Sequence, residues 1–583
     1  MKTRALVRFA ALASSSLLST ALLAQATTNP ATPMPKRTLE TRSDQRLDNW
    51  WNDAVFYQIF LRSWKDSSVG PKANDGIGDF QGLIDTLDYL NDGNPDSTSS
   101  LGVRGIWLMP IFEGPSYHGY ETEDYYKIES DFGNNEDFKR FVQEAEKRGI
   151  RVILDLVLNH TGKTHPWFTQ NLKPGSPKHD WFIWSETKPT WKGPWGQEVW
   201  WDISQAPGGE ALKRPGGGPF FYGIFSYHMP DLNYRNPEVT AEMNKVTDYW
   251  IQQYGVAGYR LDAIRHLVED GAQQENTPGT HEWLRAWHKH YKKTRPDAFT
   301  IGEVWSSTDI IASYVPDQMD TCFEFDVSYA TIDAVNNADA KRIREAAAKA
   351  FRVYPRNQYG TFLSNHDQTR VMTRFGNDFS KMRLAASMLL TQPGIPFLYY
   401  GEEVGQVGDK PDENLRTPMQ WSDAPNAGFS TVAPWMKPQS DYTTKNVKAQ
   451  SSDPSSLLNL YRRLIRLRND NVALRTGDFR VVEPVGPGAD KVYAFARSEK
   501  MGSADDAIEQ NLLIVANLSD RVVRGVSFSL KEGGFRKAGE VGELLHGTAV
   551  SSSRPLLNGR GGFSDFRPLD ELAPRTLYVI EVK

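Results

Sequence analysis

Asp262, Glu303 and Asp367 each stand at the polar tip of a short apolar run. Arg260 precedes Asp262 by two residues and His366 directly precedes Asp367. An earlier tip carries Asp155, Asn159 and His160. A carboxylate nucleophile and a protonated carboxylic acid about 5–5.5 Å apart across a sugar cleave a glycosidic bond with retention. Asp262 and Glu303 fall on consecutive runs, which as adjacent strands allow that spacing. Residues i and i+2 of a strand share a face, so Arg260 and Asp262 point the same way. Buried, such a pair must be matched, because either charge alone costs several kcal/mol. Taken singly, each acid reads as a solvated loop charge, and the Arg260–Asp262 pair as a structural ion pair. The set of carboxylates, imidazoles and guanidinium converging at strand tips is what points to chemistry.

The elements that must position these residues are eight short, nearly continuous apolar strands. They are expected at residues 54–61, 103–111, 151–160, 258–264, 299–305, 322–327, 360–367 and 395–402. Helix-like stretches at 80–90, 135–148 and 237–254 fall between them. Alternation of this kind is the pattern of a parallel sheet, and eight strands close a (β/α)₈ TIM barrel, whose chemistry sits where strands end and loops begin. A doubly wound open sheet is the alternative, but it would carry a Gly-rich turn after its first strand, and none is present. After a helix at 455–468 the texture changes to alternating β runs, expected as an antiparallel β-sandwich. The organisation is then a barrel from 47–160 and 237–473, a loop-rich insert at 161–236, and a C-terminal domain at 474–583.

The chain has 583 residues and a formal net charge of −5, with no Lys/Arg run that would track phosphates, so nucleic acid is not an expected partner. Residues 1–26 read as a secretory signal: Lys2, Arg4 and Arg8, then an apolar run, then Ala24-Gln25-Ala26. The apolar run is short for a membrane helix and no comparable one follows. A periplasmic or secreted monomer is expected, with residues 27–46 as a linker. Cys322 is the sole cysteine, so no intrachain disulfide is available. Seventeen Trp and twenty-three Tyr fit recognition of sugars, although core packing uses most aromatics.

Four segments resemble the conserved regions of the α-amylase superfamily, glycoside hydrolase family 13: Asp155-Leu-Val-Leu-Asn-His160, Gly258-Tyr-Arg-Leu-Asp-Ala-Ile-Arg-His266, Gly302-Glu-Val-Trp305 and Phe362-Leu-Ser-Asn-His-Asp367. Met229-Pro-Asp-Leu-Asn233 resembles the marker of the branch intermediate between oligo-1,6-glucosidases and neopullulanases. The resemblance implies that Asp262 is the nucleophile, Glu303 the general acid/base and Asp367 the carboxylate that holds sugar hydroxyls. Arg260 would keep Asp262 ionised, and Glu303 would need a raised pKa. His160 and His366 would donate to hydroxyls of the sugar beside the scissile bond, and Tyr120 would stack under it. Arg265 and His266 resemble the basic pair of α-amylases on the aglycone side, whereas Arg416 falls in a segment shared with oligo-1,6-glucosidases.

Asn74-Asp-Gly-Ile-Gly-Asp79 resembles the family's calcium loop, with Asp75, Asp79 and the Ile77 carbonyl as ligands and Asp66 and Asn74 as further candidates. An insertion at 69–73 separates Asp66 from the others. The family's other calcium position would use Asn159, with Asp231 a possible contributor. The six Trp between Trp181 and Trp201 are expected to form the insert's small core, with one or two stacking on glucose rings. The implied activity is an α-amylase cutting internal α-1,4 bonds of α-glucans. An α-glucosidase or 4-α-glucanotransferase on the same machinery is the first rival, and a non-catalytic sugar- or protein-binding barrel the second.

Overall fold

The computed structural model describes residues 49–501, 508–533, 535, 541–547 and 555–582. The expected signal and linker lie outside the described residues. Eight strands form one parallel sheet: β1 (Phe56–Ile59), β2 (Gly105–Leu108), β3 (Arg151–Leu156), β4 (Gly258–Leu261), β5 (Phe299–Gly302), β6 (Thr321–Cys322), β7 (Gly360–Thr361) and β8 (Ile395–Tyr399). Their order is β6-β5-β4-β3-β2-β1-β8-β7. A parallel bridge between Phe323 and Gly360 joins the two edges, and Glu324 N donates to the Gly360 carbonyl at 2.9 Å. The sheet closes into the expected TIM barrel.

Every strand ends short of its apolar run, because the hydrogen-bonded ladder stops before the run of buried side chains does. The largest departure is at 322–327, expected as strand. There β6 ends at Cys322, Glu324 caps a helix by accepting from Asp326 N, and Phe325–Asn337 is helical. A six-residue apolar run does not distinguish a buried strand from the buried start of a helix. The stretch at 80–90 likewise forms two helices, Phe80–Asp85 and Leu87–Leu90, meeting at Thr86.

The helices that wrap the barrel carry the sequence signals for their ends. Asn134 and Asp137 form a capping box ahead of Asn135–Lys147, which buries Phe138, Phe141, Val142 and Ala145. Pro237–Tyr254 opens with Asn236 as cap and Pro at its first turn, and stops at Gly255 in the left-handed region.

After β3 the insert forms a three-stranded antiparallel sheet from Trp184–Ser185, Trp200–Asp202 and Phe220–Tyr222, around a core of Val199, Trp200, Tyr222 and Ile224. Its return segment is fastened to the barrel by a bridge between Asp231 and His160.

The C-terminal strands β9 (Asp478–Val481), β10 (Val492–Met501), β11 (Ile508–Asn517), β12 (Val541–His546) and β13 (Leu577–Val582) form an antiparallel sheet in the order β9-β10-β11-β13-β12. Its side chains alternate. Tyr493, Phe495, Leu512, Ile514 and Val579 join the barrel's core, while Val492, Ala494, Leu513, Val515 and Ile580 pack with Phe528, Phe563 and Phe566 of a second sheet. Among the described residues no helix is long and apolar enough to cross a membrane.

Candidate active site

Arg260 organises one end of the barrel. It lies directly opposite Asp155 in the β3–β4 register, and its Nη1 donates to both Asp155 oxygens, at 2.8 and 2.9 Å. The same nitrogen reaches Asp262 Oδ1 at 2.9 Å, and Nη2 reaches Glu303 Oε2 at 2.7 Å. Asp262 and Glu303 therefore stand together, from adjacent strands, on a single guanidinium. Arg260 is 1% exposed, whereas the Asp262 and Glu303 side chains keep 14% and 13%. Trp107 lies under the guanidinium, 5.1 Å from it, and donates its indole N–H to Asp155 Oδ2 at 3.2 Å. Directly after Asp262 the chain turns through Ala263 at φ 47°. A left-handed non-glycine residue costs of order 1–3 kcal/mol and persists where packing over-determines it. Gly258, at the other end of β4, has no such choice: a Cβ there would lie 1.8 Å from the Phe299 carbonyl oxygen.

The third acid faces the same space from beyond β7. Asp367 Oδ1 accepts from Arg416 Nη2 at 3.0 Å and Oδ2 lies 3.0 Å from His366 Nε2. Gln58 in β1 presents its amide to His366 Nδ1 at 2.8 Å, so the imidazole carries its proton on Nε2, toward Asp367 and the Tyr120 hydroxyl 2.6 Å away. The Tyr120 ring lies parallel to His366, with centroids 5.5 Å apart and planes at 12°. Arg416 also donates to the His366 carbonyl and to Tyr117 OH. Asp367 is the most open of the three acids, at 31%.

The electrostatics divide the acids. Burial pushes Glu303 up to about 7 against the pull of Arg260, with the Asp262 charge adding to the rise. Burial also raises Asp262, to about 6, again opposed by Arg260. Burial works against ionisation of Asp367 as well, but His366 and the permanent Arg416 charge overcome it and hold that carboxyl well below the usual range. Burial lowers the His366 pKa, so at neutral pH its hydrogen bond and the Arg416 charge are the lasting contributions.

Other expected site residues are placed differently. His160 is buried, with Nε2 3.1 Å from the Tyr120 carbonyl and Nδ1 3.1 Å from Asn159 Oδ1; its ring braces Tyr120 and leaves no nitrogen directed at open space. Arg265 and His266 stand together, but they are not two cations. His266 accepts from Arg265 Nε and faces the Gln274 carbonyl through Nδ1, and burial lowers its pKa to about 3. Arg265 donates to the Trp305 carbonyl at 2.7 Å, which ties it to the Glu303 loop. The Asn159 amide donates to Asp231 and to the His266 carbonyl, so here it splices the insert to the barrel.

In the candidate calcium loop, Asp66 accepts from the amides of Asn74 and Gly76 and from Ser430. Asp79 accepts from Ser67 and Gly82 amides, Asp75 Oδ1 accepts from the Ile77 amide, and Asn74 accepts from Thr431. Burial and then the Asp66 charge raise both Asp75 and Asp79. Lys65, whose charge Asp66 and Asp79 feel, donates instead to the Gly428 and Phe429 carbonyls. Among the described residues no three His, Cys, Asp or Glu side chains form a ready-made metal cluster. The oxygen donors are nevertheless of the kind calcium takes, with Lys65 and Lys72 as the opposing charges nearby.

Sequence reasoning missed Gln58, a lone amide in an apolar strand, and Tyr117 and Trp107, whose roles depend on partners distant in sequence. A polar side chain inside a barrel strand is the one signal that could have marked Gln58.

The family description "Alpha amylase, catalytic domain" matches residues 58–477. "Alpha-amylase 3" of Dictyoglomus thermophilum is 36% identical over 440 residues, 73% of this chain and 79% of that protein. "Trehalose synthase/amylase TreS" of Mycolicibacterium smegmatis is 31% identical over 549 residues, 85% and 88%. The crystal structure of the α-amylase from H. orenii is similar with a TM-score of 0.74 at 33% identity, covering 91% of this chain and 99% of that one. An eight-stranded barrel with paired acids on one arginine, a matched catalytic-domain description and these relatives agree: the chain is a glycoside hydrolase of the α-amylase family.

Proposed function

We propose that this enzyme is an exported α-amylase that cuts internal α-1,4 bonds of α-glucans by double displacement. The observation that carries the chemistry is the shared guanidinium: Asp262 and Glu303 meet on Arg260 with raised but unequal proton affinities. Just below neutral pH Glu303 largely retains its proton while a substantial share of Asp262 is ionised. Asp262 attacks the anomeric carbon, Glu303 passes its proton to the departing glycosidic oxygen, and a covalent glycosyl ester forms. Glu303, now a carboxylate, takes a proton from water. The water oxygen attacks the same carbon and Asp262 is released. Asp367, kept ionised by Arg416, accepts hydrogen bonds from sugar hydroxyls as the ring flattens.

Relatives named as α-amylase and as trehalose synthase/amylase are similar to this chain in sequence. The burial of Arg416 on Asp367 gives the rival, an α-glucosidase or glucanotransferase, its foothold. Incubation with maltoheptaose separates the readings. Short maltooligosaccharides released from within the chain support the amylase, glucose alone from chain ends supports the glucosidase, and products longer than the substrate support transfer. We further propose that the 66–79 loop takes a structural calcium ion. Glu303→Gln is expected to lose at least about a thousandfold in turnover while still binding maltooligosaccharide. Unchanged turnover would remove Glu303 from its role.

A further inference from the structure

Asp262 does not run out into a free loop. The chain turns at once through Ala263 into the short helical turn Ile264–His266, all three residues of which are buried. His266 N closes this turn on the Ala263 carbonyl at 3.1 Å, and Asn276 N holds the Arg265 carbonyl at 2.9 Å. Arg265 is only 6% exposed, whereas an arginine that serves open solvent keeps its charged head in water.

The direction of the guanidinium is set by its neighbour. Burial keeps His266 neutral, and the Gln274 carbonyl 2.9 Å from Nδ1 can only accept. The ring's one proton therefore sits on Nδ1, and Nε2 is left to accept from Arg265 Nε at 3.0 Å. That bond turns the fork of the guanidinium toward the segment after β5, where Nη1 donates to the Trp305 carbonyl at 2.7 Å. Nη2 lies 3.3 Å from Glu275 Oε2. Trp305 follows Glu303 by two residues, and its ring stacks on Phe325 at 5.1 Å with planes at 13°. The near end of the same stretch holds Glu303 itself. Glu303 N donates to the Leu261 carbonyl at 3.0 Å, and Ala263 N donates to Glu303 Oε2 at 3.4 Å. Residues 261–265 thus grip residues 303–305 at both ends, and Arg265 supplies the far grip.

Resting on the reading of Glu303 as the general acid/base, we propose that Arg265 is a positioning residue for it. Through the Trp305 carbonyl, Arg265 holds the loop after β5 so that the Glu303 carboxyl meets the departing glycosidic oxygen. β5 ends at Gly302, so Glu303 already stands outside the strand and its placement depends on such bonds. A misplacement of about 1 Å is enough to cost on the order of a hundredfold in rate. The rival role for Arg265 is a direct contact with the sugar on the leaving side. That role predicts a loss blind to how much protonation the leaving group needs.

The test uses the whole enzyme and a series of aryl α-maltosides whose leaving phenols range from dinitrophenol to unsubstituted phenol. Dinitrophenolate departs without a proton, whereas phenolate needs one, so a displaced acid is felt mainly by the second. Arg265→Met is expected to lower kcat/KM about ten- to hundredfold on the phenyl maltoside and less than about threefold on the dinitrophenyl one. Arg265→Lys, which reaches the Trp305 carbonyl but cannot also meet His266, falls between. An equal loss along the series, or no loss, in Arg265→Met overturns the proposal. Should that variant fail to fold, the same result in Arg265→Lys overturns it. Glu303→Gln is the reference and shows the same dependence on the leaving group more steeply. If it does not, the reading of Glu303 falls; if it does while the Arg265 variants lose evenly, only the role of Arg265 falls.

Discussion

Arg260 faces three carboxylates with one charge, and that imbalance sets the pH behaviour of the site. Burial and residual negative charge lift Glu303 to about 7 and Asp262 to about 6. Glu303 must begin protonated and Asp262 ionised, so kcat/KM rises with pH through about 6 and falls through about 7, a narrow bell centred on mildly acidic conditions. Asp155 contributes to the lower limb, because its charge raises the Asp262 pKa. Asp155→Asn removes that charge and leaves more of Arg260 for Asp262. Both effects lower the Asp262 pKa, so the acid limb should move to lower pH even as the maximum rate drops from a loosened Arg260. A pH–rate profile of the two proteins checks this, and a limb that stays put or moves upward would exclude Asp155 from tuning Asp262. At this scale the sequence announced the acids but not their wiring. Asp155, Arg260 and Asp262 are visible as polar tips of apolar runs, yet the pair of hydrogen bonds that Arg260 donates to Asp155 needs the β3–β4 register, which no local pattern carries. His160 and His366 look equivalent in sequence, each following Asn, and only their surroundings separate a brace for Tyr120 from a proton donor to Asp367.

Eight apolar runs were enough to predict a closed barrel, since each barrel strand is buried on both faces and reads as a continuous hydrophobic stretch. Their ends were not legible. β7 is only Gly360–Thr361, although the buried run goes on to Asp367, because the backbone leaves the ladder while its side chains stay in the core. This early departure is what frees the tips to present acids to the cavity. The loop from Asp66 to Asp79 shows the same limit: its composition signals a turn dense in oxygen, whereas its grip on residues 430–435 is a contact between distant segments. With calcium bound to the folded state alone, stabilisation grows as RT ln(1 + [L]/Kd), about 2.7 kcal/mol at a hundredfold excess over Kd. A chelator should therefore lower Tm by about 2–3 °C for a chain of this length, added calcium should restore it, and Asp79→Asn should abolish the difference. A melting curve indifferent to chelator and calcium alike would leave the loop as a clamp that needs no ion.

The C-terminal sheet is bound to the barrel too closely to behave as an appendage. Alternation along β10, β11 and β13 divides their side chains between two cores, so one face of the sheet belongs to the barrel's own interior. Arg497 in β10 is fully buried and donates to three backbone carbonyls, of Thr391, Gly477 and Asp478, while Arg468 beside it donates to Leu390, Gln392 and Gly394. Thr391 closes the helix Phe379–Thr391 of the barrel, so the Arg497 bond to its carbonyl stitches the two parts together. Separating them would strand those groups in apolar surroundings and expose a sheet face lined by Tyr493, Phe495 and Leu512. Barrel and sheet should therefore unfold together, in one calorimetric transition. Arg497→Ala removes three hydrogen bonds to main-chain carbonyls, with Gly477 keeping Asn357 as a donor, at about 1–3 kcal/mol for each buried acceptor left unpaired, and should shift that whole transition downward while leaving KM for maltoheptaose unchanged, since Arg497 touches no residue of the site. Two resolved transitions, with only one moved by the substitution, would show that the two parts melt independently and that the shared core does not couple them.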